Sequence, residues 1–191
     1  MTCEIEASGK LFARVTGNWK HRLMLTLRTA EATDLPVLWA LSVLPNVGCT
    51  ADIETPFPLA PADSFPPTAF KDLADPDRSF VAAGGELLVA DLDGHVAAMG
   101  GFRPAAGVPG RVEILRVRVH PARRRRGLGR AIMNRLEADA AGLGYLQAWL
   151  DTATNQPEAM AFYAGIGYRP IGQETRPDWD WTLVYYVKDL T

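Results

Sequence analysis

Beginning at Met24, the segment MLTLRTAEATDL has the pattern of a short strand running into a polar turn. Thr33 or Asp34 can then cap a helix over the apolar run LPVLWALSVL, whose first turn tolerates Pro36. Two apolar runs follow in ELLVADLDGHVAAMGGFRP. Asp93-Gly94 between them predicts a tight hairpin, because such a turn needs positive φ. RVEILRVRVHP is a further strand. Strict alternation along it places Glu113, Leu115, Val117 and Val119 on one face, and Arg116 and Arg118 on the other. From Leu128 the apolar period becomes helical, through Leu128, Ala131, Ile132, Leu136, Ala140 and Leu143, with Gly142 or Gly144 as terminator. YLQAWL is a short buried strand. QPEAMAFYAGIG is a helix with Pro157 near its first turn, and YRPIG and WTLVYYVKDL close the chain as two strands. This order predicts an α/β fold, a central mixed β-sheet flanked by helices.

Two stretches lack a period. Residues 1–23 are polar and aperiodic, and are expected to be a flexible N-terminal extension to one domain over 24–191. Residues 45–76 carry seven of the chain's 14 prolines, and only TAFKDL within them has a briefly helical pattern. A proline-rich insert of that length is either a covering loop or a lid facing a substrate.

Composition narrows the class. The chain has 191 residues, 48% of them hydrophobic and 22% charged, which suits one globular domain. No apolar run approaches the roughly 18 residues of a membrane span. Residues 1–23 also lack the apolar stretch of a secretory signal. Cys3 and Cys49 make no disulfide framework, and the expected compartment is the cytoplasm. No CxxC or HExxH spacing suggests a metal. The net charge of −2 hides a strong asymmetry: residues 103–135 hold ten arginines and one acid, Glu113, for a local charge of +9. A basic segment in an otherwise acidic chain points to a small polyanion rather than to nucleic acid.

The basic segment also contains a junction suited to an anion. A helix start exposes N–H groups without internal acceptors and carries about half a positive charge. Gly127 and Gly129, lacking Cβ atoms, let an anion approach that backbone, and the flanking arginines can pair with phosphate oxygens. Gly127-Leu128-Gly129 is neither a P-loop, since the pattern's lysine is absent, nor a dinucleotide fingerprint, since Ile132 stands where a third glycine would be.

Arg124-x-x-Gly127-x-Gly129 after a strand ending Val117-Arg118-Val119-His120-Pro121 resembles the core motif of the GNAT superfamily of acyl-CoA N-acyltransferases. The downstream segment LDTATNQPEAMAFYAGIGYRPIG is similar to that superfamily's second motif. The resemblance implies acetyl-CoA as co-substrate and no metal. It implies that amides from Arg125 through Arg126, Gly127, Leu128 and Gly129 to Arg130 cradle the pyrophosphate, with Arg124 alongside and Leu128 mainly in the core. The backbone of Val117, Arg118 and Val119 would hold the pantetheine arm, and an amide near Val117 would polarise the thioester carbonyl. Tyr163 falls where the family has its general acid. Where the family often has an Asn seven residues earlier, this chain has Gln156, with Asn155 one before it, and either could be the contact to the pantetheine arm. Glu113 falls on the strand where many members carry a catalytic glutamate, and is either a base or an ion-pair partner. Asp151 is a substitute base or a helix cap. Trp179, Asp180 and Trp181 are hairpin packing or a site for a cationic amine.

The function expected from this resemblance is N-acetyl transfer from acetyl-CoA to a primary amine by direct attack in a ternary complex, with no acylated residue. The acceptor is a small molecule or a peptide. The alternative is a non-catalytic acyl-CoA-binding domain on the same fold. No nucleic-acid or membrane partner is expected, and oligomeric state stays open, many family members being homodimers.

Overall fold

The computed structural model describes residues 3–5, 11–13, 24–44, 55–63 and 67–190, the first two stretches as backbone strands only. Its strands are β1 (Cys3–Ile5), β2 (Leu11–Ala13), β3 (Met24–Thr29), β4 (Glu86–Leu92), β5 (His95–Pro104), β6 (Arg111–Val119), β7 (Gln147–Ala153), β8 (Arg169–Glu174) and β9 (Leu183–Asp189). Its helices are α1 (Leu35–Val43), α2 (Leu128–Gly142) and α3 (Pro157–Gly165). The strands form one sheet in the order β1-β2-β3-β4-β5-β6-β7-β9-β8. Every pairing is antiparallel except β6 with β7, so the sheet is mixed as expected. β1 and β2, the last two strands at one side of the sheet, lie within the stretch expected to be a flexible extension. Strands of three residues leave no alternation to detect.

Asp93 and Gly94 take φ of 54° and 83°, the positive values the hairpin requires, and His95 beside them is exposed. Asp34 does precede α1, with proline in the first turn, but its side chain makes no cap hydrogen bond. Its carboxylate instead accepts from both terminal nitrogens of Arg28, at 2.6 and 2.9 Å. TAFKDL lies in a 3-10 segment, Thr68–Ala74, followed by a single π-type turn at Asp77–Val81 that the apolar pattern does not announce.

Two apolar layers sandwich the sheet. On one face α2 buries Leu128, Ile132, Met133, Leu136 and Ala140 against β4, β5 and β6, joined by Tyr163 of α3. On the other, Leu38 and Leu41 of α1 pack with Leu73, Phe80 and Met99. Each fully buried Leu, Ile or Phe contributes about 1.5–3 kcal/mol by leaving water. The α2 layer can sit so close because of Gly100: a Cβ there would lie 2.6 Å from Ile132 Cγ2.

The alternation expected along β6 fails at Arg116, which has φ of 58°. There β6 slips against β5, from Leu115 opposite Gly101 to Arg118 opposite Met99, so two residues of β6 share one partner position. Such a bulge reverses the faces. Val112 and Ile114 before it, and Val117 and Val119 after it, all pack on the α2 side, while Leu115 packs on the α1 side. The expectation that Glu113, Leu115, Val117 and Val119 share a face is therefore corrected.

Candidate active site

The site begins where two strands part. β6 and β7 pair at Arg111–Gln147, Val112–Ala148 and Glu113–Trp149 and no further. β6 runs on to Val119 and β7 to Ala153, so beyond Glu113 the facing backbone edges have no strand between them. A cavity of about 1250 Å³ lies along this wedge. It reaches from the start of α2 to the β8–β9 hairpin, and both Glu113 and Asp151 line it.

At the α2 end, β6 stops at Val119, and a 3-10 turn at Pro121–Arg123 leads into the arginine block. Arg125 and Gly127 take φ of 58° and 82°. The latter conformation is strained for any residue with a Cβ, which explains the glycine. The first helical bond of α2 runs from Ala131 N to Gly127 O, at 2.9 Å. The amides of Leu128, Gly129 and Arg130 precede it and have no acceptor one turn back. A Cβ on Gly129 would meet Phe162 at 3.5 Å and Val119 at 3.6 Å, ordinary contacts. Protein packing alone does not demand glycine there, whereas an anion drawn close to these amides would. This junction fits a diphosphate group.

The arginines divide their tasks. Arg124 donates through Nε to Val119 O at 3.3 Å and lines the cavity together with Arg125 and Arg130. Arg126 is exposed and does not line it. Arg123 turns away, its guanidinium 4.1 Å from the centre of the Phe57 ring in the proline-rich segment. Arg118 donates to Leu44 O at 2.8 Å. Burial, and after it repulsion from Arg116 and Arg124, push its pKa down from the usual value. His120, which sequence reasoning passed over, is wholly buried beneath this loop. Its Nδ1 accepts from Ala122 N at 3.2 Å, and its ring meets Phe57 edge-on at 5.2 Å. Burial pushes its pKa below the usual histidine value, helped by Arg123 and Arg124 and opposed by the Pro56 backbone, so it is neutral at pH 7.

Tyr163 lines the cavity from α3, with 9% of its surface exposed. Its ring packs against Phe162, Tyr168 and Tyr186 at centroid distances of 5.3, 5.9 and 6.5 Å. Its hydroxyl has no hydrogen-bond partner among the described residues. Burial raises the phenol's pKa well above its usual value, Asp151 raises it further, and Arg118 opposes. The hydroxyl therefore remains a proton donor throughout neutral pH.

Three carboxylates line the cavity: Glu158 of α3, and Glu113 and Asp151 of the two parting strands. Glu113 accepts from Arg103 Nε at 2.8 Å, an ion pair across β5 and β6. Asp151 has no ion-pair partner among the described residues. Its surface is exposed to the cavity's solvent, with protein packed around it on the β7 side. Burial and then Glu113 push its pKa up, against Arg116. The N-cap position of α3 is Gln156, whose side chain makes no cap hydrogen bond, so the capping role open to Asp151 in the sequence is not found. Asn155 is exposed in the loop before α3 and lines the cavity, as does Gln156. All the expected site residues except Arg126 therefore line one cavity. Among the described residues no group of three His, Cys, Asp or Glu could hold a metal ion, and no helix is long and apolar enough to cross a membrane.

The sequence profile of the acetyltransferase (GNAT) family matches residues 50–168, a span that contains the wedge, the glycine turn and Tyr163. The chain belongs to this family. Among curated relatives, N-acetyltransferase 8F1 of Rattus norvegicus is 29% identical over 53% of this chain and 48% of its own length. The N-alpha-acetyltransferase RimI of Mycobacterium tuberculosis is 32% identical over 60% of this chain and 67% of its own. The chain thus spans about half the length of the first of these relatives. The fold matches yncA of Salmonella typhimurium, solved with its cofactor acetyl-CoA, at a TM-score of 0.64 and 20% identity, over 87% of this chain and 94% of that one.

Proposed function

We propose that this GNAT protein transfers an acetyl group from acetyl-CoA to a primary amine by direct attack in a ternary complex. The observation that carries the reading is the wedge between β6 and β7, which joins the amide-rich start of α2 to the carboxylates of Glu113 and Asp151 and a buried tyrosine in one cavity. Acetyl-CoA, when bound, supplies the acetyl group as a thioester and a thiolate as leaving group.

The chain's own groups do the rest. Amides from Arg125 to Arg130 bind the diphosphate, with Arg124, Arg125 and Arg130 lowering the cost of its charge. The open edge of Val117, Arg118 and Val119 holds the pantetheine arm as an added strand would, and an amide near Val117 donates to the thioester oxygen as negative charge develops there. Asn155 contacts the same arm. The Tyr163 hydroxyl, kept protonated by its burial, gives its proton to the departing sulfur.

An attacking amine must first lose a proton. Asp151, with its raised pKa and no cation pairing it, is better poised to accept it than Glu113, whose carboxylate is engaged by Arg103. Glu113 then acts by keeping the Asp151 pKa high. Mixing protein, acetyl-CoA and a panel of primary amines should release free thiol in step with acetylated amine. Thiol-free mixtures across the panel would leave only an acyl-CoA-binding role.

A further inference from the structure

Two aromatic side chains line the cavity at the end away from the arginine block, Phe70 from the proline-rich segment and Trp181 from the β8–β9 hairpin. Each belongs to an aromatic group already occupied by a cation of the chain itself. The Arg116 guanidinium lies 4.7 Å from the centre of the Phe70 ring, held there by Asp72 at 2.8 and 2.9 Å. Trp181 stacks on Trp179 at 4.0 Å and 17°, and the Arg176 guanidinium lies 4.6 Å from the Trp179 ring. Glu174 holds Arg176 at 2.7 Å.

The position of Trp181 is further fixed by its neighbour. Thr182 N donates to Thr154 Oγ1 at 2.9 Å, Thr154 N donates to Thr182 O at 2.9 Å, and the Thr182 hydroxyl lies 3.0 Å from that of Thr175. The site that Trp179, Asp180 and Trp181 could offer to a cationic amine is thus filled from within, by Arg176.

A guanidinium on an aromatic group makes that group a poor place for a second cation, because the two charges repel across a few ångströms. What remains is flat, apolar and rigid. Of the two carboxylates on the parting strands, Glu113 is paired with Arg103 and Asp151 has no ion-pair partner among the described residues, so Asp151 suits a single ammonium.

We propose that the acceptor is a primary amine carrying an uncharged aromatic or bulky apolar group close to the nitrogen. Trp181 and Phe70 are its specificity-determining walls. This rests on the acetyl-transfer reading above. Two sources share the chemistry, an arylalkylamine and a peptide whose first residue is apolar.

The test compares initial rates of thiol release for phenethylamine, for a short peptide beginning with Phe, for the same peptide beginning with Gly, and for spermidine. Wild type, Trp181→Ala, Trp181→Phe and Phe70→Ala are each assayed. The proposal expects kcat/KM for the phenethylamine or Phe-peptide arm to exceed that for spermidine by about tenfold or more. The higher of those two arms identifies the source. Trp181→Ala and Phe70→Ala should each erase most of that preference through acceptor KM, with KM for acetyl-CoA unchanged. Trp181→Phe, which keeps a flat wall, should retain it. Spermidine or the Gly peptide matching the aromatic arms would overturn the proposal. So would variants that slow every acceptor equally, while acetyl transfer itself still stood. Failure of every acceptor to release thiol removes acetyl transfer, and this proposal with it.

Discussion

Arg116 and Asp72 join the bulge of β6 to the proline-rich segment through two parallel hydrogen bonds of 2.8 and 2.9 Å. The bulge gives Arg116 its positive φ, and the pair anchors the 3-10 turn that carries Phe70 to the cavity. Their side chains are only 25% and 10% exposed, so water screens the pair weakly. Arg116→Ala should cost about 1–3 kcal/mol of stability, chiefly by stranding the Asp72 carboxylate. Arg116→Gly loses the same pair but relaxes the backbone, and should be less destabilised than the alanine variant by up to about 1 kcal/mol. Urea denaturation of the two variants side by side checks both statements. Equal stability would show that the positive φ carries no strain.

Gly127→Ala puts a Cβ on a residue with φ of 82° in open space, so the expected cost comes from the backbone rather than from a clash. Stability should fall by about 1–2 kcal/mol. Acetyl-CoA affinity should fall with it, because the same φ sets the direction of the amides at the start of α2. Thermal melts with and without acetyl-CoA separate the two effects.

The sequence discloses local geometry and misses what partner strands decide. Asp93-Gly94, the helical period from Leu128 and the glycines of the α2 junction depend on neighbours a few residues away, and each lies where expected. The bulge at Arg116 depends on how β6 meets β5, and alternation alone assumes a regular pleat. Glu113 acts on Asp151, and Asp151 on Tyr163, only because β7 lies parallel to β6 and then diverges from it. Arg123 is indistinguishable from its three arginine neighbours in the sequence, yet its Phe57 partner lies 66 positions away along the chain. His120 carried a signal that could have been read: a histidine between a strand and a proline, beside an anion-binding turn.

Tyr163→Phe keeps the ring that packs against Phe162, Tyr168 and Tyr186 and removes only the proton. Turnover should fall about 10²-fold or more, with acetyl-CoA affinity unchanged. Single-turnover rates alongside equilibrium binding check this. An unchanged rate removes Tyr163 from the mechanism.

The Asp151 carboxylate must be ionised to accept a proton, and its pKa lies above the usual value. Acceptor kcat/KM should therefore fall as pH drops through that raised pKa. Asp151→Asn should abolish this limb and leave only the limb set by the amine's own ionisation. Glu113→Gln should keep the limb and move it to lower pH, since Glu113 is one cause of the rise. A limb that survives Asp151→Asn unchanged assigns the base elsewhere.

Asp34 supplies a pH dependence of folding. Burial would raise its pKa, but the hydrogen bonds from Arg28 and from the Glu31 amide outweigh burial and hold it below the usual 3.8. Its stabilisation is therefore complete above the unfolded-state value and lost as pH falls below about 4. Asp34→Asn should be less stable than wild type by about 1–3 kcal/mol at pH 7. The gap should close toward pH 3, measured by denaturation at each pH.

The central claim is that the turn at Gly127 and the wedge beyond Glu113 hold an acyl-CoA. Titration calorimetry with acetyl-CoA at low ionic strength tests it most directly. The account predicts saturable one-site binding that weakens in Gly127→Ala. No heat of binding at millimolar acetyl-CoA, from protein shown to be folded, would contradict it.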